Sequence, residues 1–255
     1  MGAGHHHQIY RAGDTLVHRL PPQCKLAAVA AFALVVVATP REWFWAFGLY
    51  ALLLAAVAVA ARVPALSVLR RMVIEIPFVV FAVALPFIGF GERVSFLGLS
   101  LSAEGLWSAW NILAKATLGV VASVLLASTT EPRLMLLGAQ RLRLPPLLVQ
   151  IAMFMLRYLD VIVDEMRRMR VARESRGFTA RDVRHIPVVA RSAGALFIRS
   201  YERGERVHLA MLSRGYSGSM PIIQDLSASA RQWLVAGMLP GAALVALLGT
   251  WGLTS

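Results

Sequence analysis

Trp43 to Ala61 reads WFWAFGLYALLLAAVAVAA, with no charged side chain in the run. A helix needs about 20 apolar residues to cross a hydrocarbon core, so this stretch predicts a membrane span. On its N-terminal side lies a shorter apolar run, Leu26–Thr39, and Pro40-Arg41-Glu42 between them reads as a tight polar turn. The two form a helical hairpin. Further along, Met72–Phe90, Trp107–Ser128 and Gln232–Leu253 are apolar runs of similar kind. The fold expected is an all-α membrane protein with about five transmembrane helices. Composition agrees: 58% of residues are hydrophobic and mean hydropathy is +0.64. A soluble core cannot hide that much apolar surface.

Charge orients the spans. The net charge is +12, carried by 24 arginines against two lysines, Lys25 and Lys115. With the N-terminus in the cytoplasm, Arg11, Arg19, Lys25, Arg62, Arg70 and Arg71 all lie inside, as do the 17 arginines of residues 131–231. Only Arg41 and Arg93, each beside a glutamate, are then left outside. The positive-inside rule selects that orientation. The expected organisation is a cytoplasmic N-terminal segment (1–25), a four-helix transmembrane region (26–130), a cytoplasmic helical domain between spans four and five (131–231), and a final transmembrane helix (232–255). The first 25 residues are polar and lack the apolar core of a secretory signal. A basic chain also raises nucleic acid as a partner, but the arginines are not interleaved with aromatics or glycine loops, so none is expected. An anionic lipid bilayer or an acidic protein surface fits better.

Residues 131–231 carry helical pattern. Leu147–Ser175 contains no glycine or proline and follows Pro145-Pro146, so it predicts one long helix, apolar at first and basic after Arg167. A second helix is expected over Pro187–Ser213 and a shorter one over Glu131–Leu142.

The two long helices end alike. Ala172-Arg-Glu-Ser175-Arg176-Gly177-Phe178 closes the first, and Ala210-Met-Leu-Ser213-Arg214-Gly215-Tyr216 closes the second, 38 residues later. Asp164 and Glu202 occupy equivalent places, as do Arg168 and Arg206. A glycine after a helix is an ordinary stop, and an arginine in the last turn complements the helix dipole. Neither rule requires the matched alanine, serine and aromatic. Two matched ends read instead as two equal plugs, each presenting an arginine to a socket of carboxylates and carbonyls. Two equal plugs imply a partner present as two similar copies.

These residues resemble the transmembrane T component of energy-coupling factor importers, most of all its cobalt-transport CbiQ subfamily. That family carries two Ala-Arg-Gly motifs at the ends of two cytoplasmic coupling helices; here Ser175-Arg176-Gly177 and Ser213-Arg214-Gly215 stand in those places. Ala172 and Ala210, with Arg157-Tyr158 and Asp164, resemble the supporting parts of the coupling helices, and Glu104-Gly105-Leu106 also fits. Leu20-Pro-Pro-Gln-Cys-Lys25-Leu26 stands where the family usually has a sequence like Asp-Pro-Arg, and departs from it. The resemblance covers about Tyr10 to Gly218. It implies a scaffold that binds two CbiO-like ATPase subunits through the arginine motifs and a CbiM-like substrate-binding membrane subunit through the rest. ATP and Mg²⁺ are then bound by the ATPases, with no cofactor in this chain, in a bacterial inner membrane. Cobalt(II) is the implied ion and nickel the alternative.

Other constellations carry less. Neither lysine follows a glycine, so there is no Walker phosphate loop. Asp160 and Asp164 have a D-x-x-x-D spacing but no second acidic cluster; ion pairing with Arg157, Arg167 or Arg168 one turn away is the expected use. His5-His6-His7 could ligate a metal only if other groups converged on it, and no metal site is expected. Glu75 and Lys115 fall within spans, where charge is costly, and are not expected to meet. A stand-alone carrier would need a polar midplane lining, of which the spans are nearly free, and a membrane enzyme a convergent acid, base or metal set, which the sequence does not offer.

Overall fold

In the computed structural model, residues 10–88, 93–96, 99–178, 182, 185–218 and 227–254 are described. His5–His7 lie outside them. The chain is built from helices, with one two-stranded hairpin among the described residues. In order these are α1 (Leu16–Arg19), α2 (Pro22–Ala38), α3 (Phe44–Ala60), α4 (Ala65–Arg71), a 3-10 turn (Met72–Glu75), α5 (Ile76–Ile88), β1 (Arg93–Phe96), β2 (Leu99–Ser102), α6 (Ala103–Thr129), α7 (Pro132–Arg141), α8 (Pro146–Glu174), α9 (Ile186–Leu212) and α10 (Ala230–Thr254).

Local chemistry explains most boundaries. α7, α8 and α9 each begin with proline at the first or second position, where a missing N–H costs nothing. At α6 the Ser102 hydroxyl accepts the Gly105 amide, and Glu104 sits in the positive first turn. The third apolar run is not one continuous helix. Pro77 has no N–H to return to the preceding turn, and the chain tightens there into the 3-10 turn that separates α4 from α5. Between α5 and α6 the strands pair antiparallel, Arg93 opposite Ser102, an element the apolar pattern did not announce.

Among the described residues, four helices suit a membrane crossing by length and composition: α4 through α5, α6, α8 and most of α10. α2 and α3 are apolar but shorter, 17 residues each. The apolar window that includes the start of α8 lies in the stretch read from sequence as cytoplasmic.

The described chain divides into two compact units. α8 and α9 make one; α1–α7, the hairpin and α10 make the other. The core of the larger unit gathers Phe32, Val36, Phe47, Tyr50, Leu54, Leu118, Ala122 and Ala243 from α2, α3, α6 and α10. Phe32 and Phe47 meet the Tyr50 ring edge-on at 5.9 and 6.3 Å. Tyr50 is fully buried, and its hydroxyl lies 3.0 Å from Thr39 Oγ1 and 3.4 Å from the Ala243 carbonyl. A buried polar tip is thereby satisfied.

At one end of this unit Lys25 is 7% exposed, and its ammonium donates to the carbonyls of Thr129 and His18 at 2.9 and 3.3 Å and to Thr130 Oγ1 at 3.2 Å. Thr129 closes α6, so the cation also meets the negative end of that helix. The segment Pro22–Lys25 is buried throughout. Glu75 and Lys115 do not pair. Glu75 accepts from the Thr117 hydroxyl, and Lys115 donates to the Val37 carbonyl at 2.8 Å. Gly105 allows a close approach: a Cβ there would meet the Leu85 carbonyl oxygen at 2.6 Å.

Candidate functional site

The matched heptapeptides end α8 and α9 with the same bonds. In α8 the Ser175 amide donates to the Val171 carbonyl at 2.9 Å, Arg176 to Arg173 at 3.1 Å, Gly177 to Glu174 at 3.0 Å and Phe178 to Arg173 at 3.0 Å. In α9 Ser213 donates to Leu209, Arg214 to Met211, Gly215 to Leu212 and Tyr216 to Met211, all at 3.0 Å. The last two bonds of each set are those of a Schellman stop, which needs a left-handed residue. Gly177 and Gly215 supply it, with φ of +73° and +83°.

The serine has a bond of its own. Because the Arg176 amide reaches Arg173, one residue short of the α-helical partner, the Ala172 carbonyl is left for another donor. Ser175 Oγ donates to it at 3.0 Å, and Ser213 Oγ does the same to Ala210 at 3.0 Å. Alanine in the serine position cannot make this bond.

Each glycine turn leaves its arginine outside. Arg176 and Arg214 are both exposed, and among the described residues neither side chain has a hydrogen bond or ion pair. A free guanidinium on a fixed backbone is a ready fork for a carboxylate or a row of carbonyls. The aromatics turn inward and are half-buried: Phe178 packs edge-on to His185 at 5.1 Å and Tyr216 to His208 at 6.5 Å.

α8 and α9 run antiparallel. Gln150 near the start of α8 meets Tyr216 past the end of α9, Glu165 meets Arg199, and Arg173 meets Ser192 near the start of α9. The two arginines therefore sit at opposite ends of the pair. The 26 residues from Gln150 to Arg176 put them roughly 40 Å apart at about 1.5 Å per residue.

The acidic residues read from sequence sit differently. Asp164 and Arg157 are exposed, and no ion pair joins Asp164 to an arginine among the described residues. The pairing carboxylate is the next residue: Glu165 holds Arg199 of α9 and lies 3.5 Å from Arg168. Helical phase is the reason. Tyr158, Val161, Ile162 and Glu165 recur at three- and four-residue steps and line a groove of about 150 Å³ with Leu196, Arg199 and Arg203 of α9; Asp164 is off that stripe. The signal that could have found Glu165 is its position in the stripe. Among the described residues no group of three or more His, Cys, Asp or Glu side chains converges as metal ligands would.

Residues 13–223 match the family model described as CbiQ, cobalt transport protein. An energy-coupling factor transporter transmembrane protein, EcfT, of Thermanaerovibrio acidaminovorans is 30% identical over 247 residues, 90% of each chain. The cobalt transport protein CbiQ of Rhodobacter capsulatus is 26% identical over 142 residues, 56% of this chain and 57% of that protein. An uncharacterized protein of Methanocaldococcus jannaschii is 34% identical over 110 residues, 43% of this chain and 41% of the other. The chain spans about half the length of the first curated relatives it matches. With apolar helices long enough to cross a bilayer and a family match over most of its length, this multi-pass membrane protein belongs to the CbiQ family of energy-coupling factor transporter T components.

Proposed function

We propose that this chain is the coupling subunit of an ATP-driven importer. It carries motion from two ATPase subunits to a substrate-binding membrane subunit and performs no chemistry itself. One observation carries the reading: two helix ends, matched bond for bond, expose Arg176 and Arg214 at opposite ends of an antiparallel pair. A symmetric pair of ATPases has two equal sockets to receive them. Ser175, Gly177, Ser213 and Gly215 fix the backbone that presents each arginine, with Ala172 and Ala210 as the carbonyls behind. ATP and Mg²⁺ belong to the ATPases. Cobalt(II) is the proposed cargo, because the matching family and one relative are cobalt transport proteins by name, with nickel as the alternative. The arginine distribution favours a cytoplasmic N-terminus and a cytoplasmic α8–α9 unit in an inner membrane.

Co-purification tests the reading. The chain should retain its ATPases when wild type and lose most of them as the Arg176→Ala, Arg214→Ala double variant, still folded in detergent. Undiminished retention by the double variant would reduce the motifs to helix caps.

A further inference from the structure

Among the described residues, side-chain ties join α8 to α9 and the turn after it, spread along the pair. Near the start of α8, the Gln150 amide donates to the Tyr216 hydroxyl at 2.5 Å. Further along, Arg199 donates to the Glu165 carboxylate. Towards the other end, Arg173 donates to Ser192 Oγ at 3.0 Å. Two of the ties stand beside the plugs: Tyr216 is two residues beyond Arg214, and Arg173 is three residues before Arg176. Each plug is thus fastened to the opposite helix near that helix's own start. Both outer ties are half-buried, so water competes less for their donors. The matched motifs do not explain these ties. Phe178, the counterpart of Tyr216, has no hydroxyl, and Met211, the counterpart of Arg173, has no donor.

We infer that Gln150, Glu165, Arg199, Arg173, Ser192 and Tyr216 are positioning residues that make α8 and α9 a single strut. The strut holds the two arginine plugs at one separation, so that displacing one displaces the other. A hinged pair would let each ATPase move its own plug; a tied pair makes the two motions one. The inference rests on the plug reading proposed above, and it adds the demand that spacing, not only contact, is set within this chain. Hydrogen-bond networks and rigid helices are among the elements that carry coupling between distant sites.

Spin labels measure that geometry. Glu174→Cys and Ser217→Cys place labels on exposed positions beside each plug while leaving both arginines, and Cys24→Ser removes the native thiol. In the intact transporter complex, double electron–electron resonance should give one narrow distance distribution. Adding Gln150→Leu, Glu165→Gln and Ser192→Ala should broaden it at least twofold, and ATP-driven uptake per ATP hydrolysed should fall several-fold while the ATPases stay bound. Tyr216→Phe alone, which removes one oxygen and cannot empty a core, should broaden the distribution measurably. An unchanged distribution in the triple variant and in Tyr216→Phe overturns the strut. Failure of the plug reading is separate: it shows as ATPases retained by the Arg176→Ala, Arg214→Ala variant, whatever the distances.

Discussion

The Ser175 hydroxyl donates to the carbonyl oxygen of Ala172 at 3.0 Å, closing the last turn of α8. Ser213 and Ala210 repeat the bond in α9. Removing either hydroxyl leaves a carbonyl that is exposed enough to find water. Ser175→Ala and Ser213→Ala should each cost about 0.5–1 kcal/mol of stability and weaken ATPase retention less than loss of either arginine does. Thermal unfolding in detergent and co-purification read the two quantities.

The glycines carry more. Gly177 and Gly215 have open space around a Cβ but φ of +73° and +83°. Alanine there costs about 1–2 kcal/mol per site through backbone strain, not clash. Asparagine, which tolerates the left-handed region, should recover part of the loss. Comparing the three residues at each position in the same melts separates strain from any effect of side-chain size.

In the larger unit, Tyr50→Phe keeps the ring among Phe32 and Phe47 but strips the oxygen from Thr39 and Ala243. About 1–2 kcal/mol of stability should go with it, since a buried partner is left unpaired. Thr39 still donates to the Val35 carbonyl at 2.8 Å, which limits the damage. Unfolding that is unchanged within about 0.3 kcal/mol would remove the tie from the account of this fold.

Lys25→Met tests the end of α6. The ammonium serves three acceptors, and methionine serves none. The variant should lose about 1–3 kcal/mol, the cost of a buried acceptor without a donor. Lys25→Arg keeps the charge but needs more room than a 7%-exposed site gives, so it should fall between methionine and wild type.

Much of this was legible in the sequence because it is local. The apolar runs located α2, α3, α6 and α10 to within a few residues, since burial of a helix in lipid depends on the run itself. Pro145-Pro146 and the glycines located both ends of α8, and Ser175, Arg176, Gly177 and their counterparts form bonds within one turn, so their geometry follows from their order. The 3-10 turn before Pro77 was written in the chain as well, but the apolar run around it masked the break.

What only the tertiary structure decided is which distant side chains meet. Lys25 finds Thr129 104 residues away, Tyr50 finds Ala243 193 residues away, and Glu165 finds Arg199 34 residues away, where the sequence offered Asp164 and nearer arginines. One residue is 100° of helix, enough to turn Glu165 toward α9 and Asp164 toward solvent. Hydropathy and capping are properties of a segment and can be read along it. A cross-helix bond depends on the phase of two segments at once, and that phase is fixed only when the helices pack.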